Sequence, residues 1–63
     1  MIREYRIKNN ITQEELAEKL NISPRQVQRI ESKQSRPSIK TLKEIIKILN
    51  ISDDDIVKLI KEI

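Results

Sequence analysis

The 63-residue sequence contains no cysteine, no histidine and no glycine, and its only aromatic side chain is Tyr5. Without cysteine no disulfide can staple the chain, and without cysteine or histidine the usual transition-metal ligands are missing. The same absences remove the usual nucleophile and base pairs of enzymes, and no glycine-rich loop is present to cradle a phosphate. Neither an enzymatic activity nor a cofactor is therefore expected, and no small-molecule ligand is evident. No apolar run approaches the ~20 residues of a membrane span, and no signal-peptide pattern is present, so the expected address is the cytoplasm. Folding a chain this short removes only about 60% of its unfolded surface from water. Its core has to be built economically, almost entirely from aliphatic side chains.

Charge is present in both signs but unevenly placed. The formal net charge is +3. Residues 1–20 carry four cations and four carboxylates and are neutral. Residues 21–47 carry seven cations (Arg25, Arg29, Lys33, Arg36, Lys40, Lys43 and Lys47) against Glu31 and Glu44, a balance of +5. The remainder sets Lys58 and Lys61 against Asp53, Asp54, Asp55 and Glu62, a balance of −2. A basic centre with a mildly acidic end suits a polyanion on one face, with a solvated lysine-rich surface as the plainer alternative.

Helix starts are marked by a hydroxyl residue with a carboxylate or amide three positions on, at Thr12/Glu15, Ser23/Gln26 and Ser52/Asp55. Ser38, directly after Pro37, offers a further start. With glycine absent, stops fall on asparagine, which tolerates the left-handed conformation, at Asn9 or Asn10, Asn21 and Asn50. Apolar residues recur with helical spacing between these signals: Ile2 and Tyr5; Leu16 and Leu20; Val27 and Ile30; Leu42, Ile45, Ile46 and Leu49; Ile56, Leu59, Ile60 and Ile63. The pattern predicts five helices near 2–9, 13–20, 24–31, 39–49 and 53–62, with no competing strand, linker or repeat. The expectation is one compact all-α domain over residues 1–63. The run Asp53-Asp54-Asp55 reads as a complement to a helix dipole, because consecutive helical residues point apart and the glycine-containing spacing of a calcium loop is missing.

Between Leu20 and Val27 one helix ends, the chain turns through Asn21 and Ile22, and the next begins at Ser23 with Pro24 in its first position. Two helices so closely joined can pack steeply, with Ala17 allowing close approach and Ile22 plugging the corner. Thr12-Gln-Glu-Glu-Leu-Ala-Glu-Lys-Leu20, Asn21-Ile-Ser23, Val27-Gln-Arg-Ile-Glu31, Pro37-Ser38 and Leu42 together resemble the phage Cro and repressor type of helix-turn-helix family. The resemblance covers nearly the whole chain. It implies a five-helix, lambda-repressor-like fold and sequence-specific binding of double-stranded DNA through a recognition helix in the major groove. A transcriptional regulator, more often repressor than activator, is what such proteins are.

At about 100° per residue, Val27 and Ile30 define the inward face of the third helix, with Arg25 and Arg29 almost opposite and Gln28 on a flank. Arginine can donate two hydrogen bonds to guanine O6 and N7, and glutamine can pair with adenine N6 and N7, so Arg25, Gln28 and Arg29 are the expected base readers. Gln26 lies nearer the core side, and is added because the family also uses this early part of the helix. The resemblance implies a phosphate contact for Gln13, and an ion pair between Arg6 and Glu31 tying the first helix to the third. Lys33, Gln34, Ser35 and Arg36 in the following loop, with Ser38 and Lys40 at the next helix start, complete the expected phosphate set. Two departures from the family pattern stand out. Pro24 replaces a glutamine that some repressors use on bases, and Lys33 stands where glycine is frequent, so a different turn is expected there.

The family often binds two-fold symmetric sites as dimers, and the terminal stripe Ile56, Leu59, Ile60 and Ile63 is the expected contact surface, although Ile56 and Ile60 could equally cap the chain's own core. Two rivals belong to other classes. A small helical interaction module or antitoxin-type protein would turn its basic face to an acidic partner, and a structural bundle would use the terminal stripe to oligomerise. DNA readout requires Arg25 and Arg29 to lie outward and free of acidic partners, whereas intramolecular ion pairs on both would favour the interaction module.

Overall fold

The computed structural model describes residues 1–62, within which the chain forms five helices and no strand. They are α1 (Ile2–Lys8), α2 (Gln13–Leu20), α3 (Pro24–Glu31), α4 (Ile39–Leu49) and α5 (Asp53–Glu62). The starts follow from local hydrogen bonding. Thr12 Oγ1 accepts the Glu15 amide at 3.0 Å, and the Glu15 carboxylate accepts the Thr12 amide at 3.0 Å. Ser23 and Gln26 repeat this reciprocal arrangement at 3.1 and 3.0 Å. Ser38 caps α4 by accepting the Thr41 amide at 3.1 Å. Each such cap stabilises its helix by about 1 kcal/mol, which matters in so small a chain.

The third expected box forms only in half. Ser52 Oγ accepts the Asp55 amide at 3.3 Å, but the Asp55 carboxylate accepts the hydroxyl of Tyr5 instead of the Ser52 amide. That amide donates to the Tyr5 oxygen at 3.4 Å. A side chain from α1 has entered the box, and the cap of α5 has become a tie between the two ends of the chain.

The helix stops share one geometry. Asn10, Asn21, Lys33 and Asn50 have φ between 52° and 64°. In each case the amide of the next residue bonds a carbonyl five positions back: Ile11 to Arg6, Ile22 to Ala17, Gln34 to Arg29 and Ile51 to Ile46. These are Schellman turns, in which a left-handed residue lets the chain fold back over the last helical carbonyls. Three of the four pair asparagine with isoleucine, and Ile11, Ile22 and Ile51 all pack on or within the core. The fourth, Lys33-Gln34, corrects the expectation of a different turn: the glycine-like conformation is retained without glycine.

The core gathers Ile2, Leu16, Ala17, Leu20, Val27, Ile45, Leu49, Ile51 and Leu59. Leu16 is wholly enclosed, at 0% exposure. Burying an aliphatic side chain of this size contributes roughly 1.5–3 kcal/mol. α2 packs most extensively on α3, while α4 lies against both α1 and α2. Asn9 Nδ2 donates to the Leu49 carbonyl at 3.1 Å and so joins the ends of α1 and α4. None of the described helices is long and apolar enough to cross a membrane.

The terminal stripe divides differently from expectation. Leu59 is 2% exposed and Ile56 packs on the core, so neither is free for a partner, whereas Ile60 is 57% exposed. α5 drives one edge into the protein, and Ile60 falls on the rim of that edge. Val57, beside it on the outer side of the helix, is also exposed. Ile63 lies outside the described residues.

Candidate nucleic-acid interface

The interface is built on α2, the Asn21-Ile22 turn and α3. Asn21 adopts φ 57° and ψ 42°, so α2 ends abruptly and α3 can begin within three residues. Pro24 in the first turn of α3 gives up an amide that would have had no helical partner there. Ala17, 1% exposed, permits close approach of the helices, and Ile22 packs against the core at the corner. With Val27 buried and Ile30 half-buried beneath it, α3 is held by one face and offers the other to solvent.

That outer face carries Arg25, Gln26, Gln28 and Arg29, all exposed. Arg25 and Arg29 are one helical turn apart on the same side, and among the described residues neither takes part in an ion pair. Gln26 differs from its expected placement. It is exposed and not turned coreward, and its Oε1 accepts the Ser23 amide at 3.0 Å. The amide nitrogen of Gln26 stays free to donate, but the acceptor needed for a two-bond contact with adenine is already committed.

Behind α3 a polar network fixes the helix to the rest of the fold. Arg6 Nε donates to Glu31 Oε2 at 2.6 Å and Arg6 Nη2 donates to Glu31 Oε1 at 3.3 Å. Arg6 Nη1 donates to the Ile11 carbonyl at 2.9 Å, so the guanidinium also locks the end of α1. The two side chains are 11% and 4% exposed. At that burial, removing one partner strands the other, a loss of about 3 kcal/mol. Gln13 joins the same carboxylate, its Nε2 donating to Glu31 Oε1 at 3.0 Å. This third bond carried no signal in the sequence, because Gln13 and Glu31 meet only once the turn has set the angle between α2 and α3. It orients the Gln13 amide and leaves its second N–H unused.

A shallow groove runs between α3 and the junction of α1 with α2, lined by Arg3, Arg6, Gln13, Glu14, Gln28 and Glu31 among others. Arg3 comes from the segment that is electrically neutral as a whole, and only the tertiary arrangement brings it beside α3. The loop after α3 presents Lys33, Gln34, Ser35 and Arg36 to solvent, and Lys40 is exposed in the first turn of α4. Lys33 Nζ lies 3.4 Å from Glu62 Oε1, an exposed pair that water screens strongly. The Ser38 hydroxyl is occupied by its cap and by Thr41 Oγ1 at 3.0 Å, so this end of α4 offers an anion its free first-turn amides.

Two of the carboxylates held below their ordinary range sit in the first turns of α2 and α5. Asp55 is lowered chiefly by the Tyr5 hydroxyl, and Glu15 chiefly by the Thr12 backbone amide.

A family model described as helix-turn-helix matches residues 2–56, a span that runs from α1 into the first turn of α5. No curated protein and no solved structure matches the chain.

Proposed function

The chain belongs to the DNA-binding helix-turn-helix family of Cro and C1 type, and from that premise we propose that α3 enters the major groove and reads sequence with Arg25, Gln28 and Arg29. The observation that carries this reading is the pair of exposed arginines, one turn apart and free of acidic partners among the described residues. Intramolecular ion pairs on both arginines, which would have favoured the interaction module, are absent among the described residues. Each arginine has the fork geometry for guanine O6 and N7, and Gln28 has the donor and acceptor for adenine. Gln26, with its oxygen bonded in the cap, contributes only the N–H donors of its amide nitrogen.

Backbone contacts set the register of this helix. The free N–H of Gln13, the exposed Lys33, Gln34, Ser35 and Arg36, and the start of α4 at Ser38 and Lys40 supply donors around α3 to phosphates. The Arg6–Glu31 pair acts indirectly, by holding Gln13 and the end of α3 in place. The function that follows is transcriptional regulation by occupancy of DNA, in the cytoplasm, with repression as the direct outcome of blocking a site. Two copies on half-sites one helical turn apart, ~34 Å, would use the outer edge of α5 at Ile60 and Val57.

Selection of bound sequences from random duplex DNA tests the reading. The parent protein should enrich a defined motif, and Arg25→Ala and Arg29→Ala should each relax preference at particular bases by about 1–3 kcal/mol of discrimination. Absence of any enriched motif with the parent protein rejects sequence reading by this face.

A further inference from the structure

The groove beside Gln13 has an electrostatic peculiarity. Of its charged side chains, Arg6 and Glu31 neutralise one another through their 2.6 Å ion pair. The remaining charges are Glu14, in the first turn of α2 next to Gln13, and Arg3 from α1. Both are exposed, and among the described residues neither is in an ion pair. A phosphate approaching the Gln13 amide therefore enters a groove that also holds the Glu14 carboxylate, with Arg3 as the one uncompensated cation lining it.

We infer that Arg3 is a DNA-backbone contact, donating from its guanidinium to the phosphate that Gln13 engages. The inference rests on the proposed DNA reading and adds a residue from outside the helix-turn-helix. Arginine suits the task because its planar fork can bind two phosphate oxygens at once, which a lone amide N–H cannot. The contact positions the duplex without reporting sequence. It also explains how an acidic residue is tolerated beside a phosphate site: Arg3 offsets Glu14 at the mouth of the groove.

The test measures affinity of the full chain for a selected duplex across a salt series. Arg3→Ala should weaken binding several-fold at low salt, by the same factor on selected and unselected duplexes, and should reduce the slope of log K against log salt by about 0.9. Arg3→Lys should keep most of the slope. Because Arg3 is exposed and unpaired among the described residues, thermal unfolding of Arg3→Ala should match the parent, which separates lost contact from lost fold. An unchanged slope in Arg3→Ala overturns the contact while leaving readout by α3 intact. Full recovery of affinity by Glu14→Gln in the Arg3→Ala background also overturns it, since Arg3 would then merely offset Glu14. A parent protein with no affinity for duplex DNA overturns the inference together with the reading it rests on.

Discussion

Lys33 holds a backbone conformation, φ 64°, that costs an ordinary L-residue about 1–2 kcal/mol. Asparagine at the other three left-handed positions reduces that cost through its short polar side chain. Lysine has no such means, and its ion pair with Glu62 is too exposed to compensate. Lys33→Gly should therefore stabilise the protein, by about 0.5–1 kcal/mol after the extra freedom glycine has in the unfolded chain is subtracted. A higher urea midpoint at unchanged denaturant slope is the expected reading. A lower midpoint means that the contact with Glu62 outweighs the strain. The same residue shows why three stops were legible and one was not. Asn10, Asn21 and Asn50 announce the left-handed turn by their residue type, whereas the geometry at Lys33 comes from the Schellman bonds to Ile30 and Arg29 that the surrounding chain makes.

At the scale of elements, α1 and α5 are joined through a cap. Tyr5 bonds Asp55 and Ser52 across a sequence separation of 50 and 47 residues, so docking of α5 is coupled to ionisation of the aspartate. The Asp55 pKa lies below its ordinary 3.8, chiefly because of Tyr5, and that of Glu15 below 4.5, chiefly because of the Thr12 amide. A carboxylate with a depressed folded pKa contributes stability above its unfolded value and loses it as pH falls through the folded one. Unfolding monitored between about pH 5 and about pH 2 should therefore show a progressive loss of stability. Tyr5→Phe keeps the ring on the core and removes the hydroxyl, so this variant should be less stable near neutrality and show a shallower acid limb. Parallel pH profiles for parent and variant exclude the coupling. The boundaries of α2, α3 and α4 were legible because each start signal acts within three residues. Participation of Tyr5 in the α5 cap was not, since no local pattern names a partner from the opposite end of the chain. Burial of Leu59 but not Ile60 has a similar origin: spacing defines the apolar stripe, while its width inside the protein depends on what α5 packs against.

For the molecule as a whole, placement of charge outweighs its sum. A net charge of +3 conceals a balance of +5 over residues 21–47, where five of the seven cations fall on α3, its exit loop and the start of α4. Much of that was readable, because the arginines of α3 follow its helical period and the loop cations sit together in sequence. Arg3 was not, since its segment sums to zero and only packing of α1 brings it into the groove that Gln28 and Gln13 line. The salt dependence of binding counts what the fold has gathered. Lys33, Arg36 and Lys40 as phosphate contacts give a slope of log K against log salt of about 3, and Arg3 raises it to about 4, for one copy on one half-site. Two copies on a two-fold site double these values, so the slope reports stoichiometry as well as contact number. Titration of a single half-site and of a paired site, each from about 50 to about 200 mM salt, should give slopes in a ratio near two if both half-sites are filled together. Equal slopes would mean that one copy binds at a time. Ile60→Asp completes the measurement. If the outer edge of α5 joins the copies, the charge should lower affinity for the paired site and leave the half-site unaffected, and an equal effect on both would place any contact between copies elsewhere.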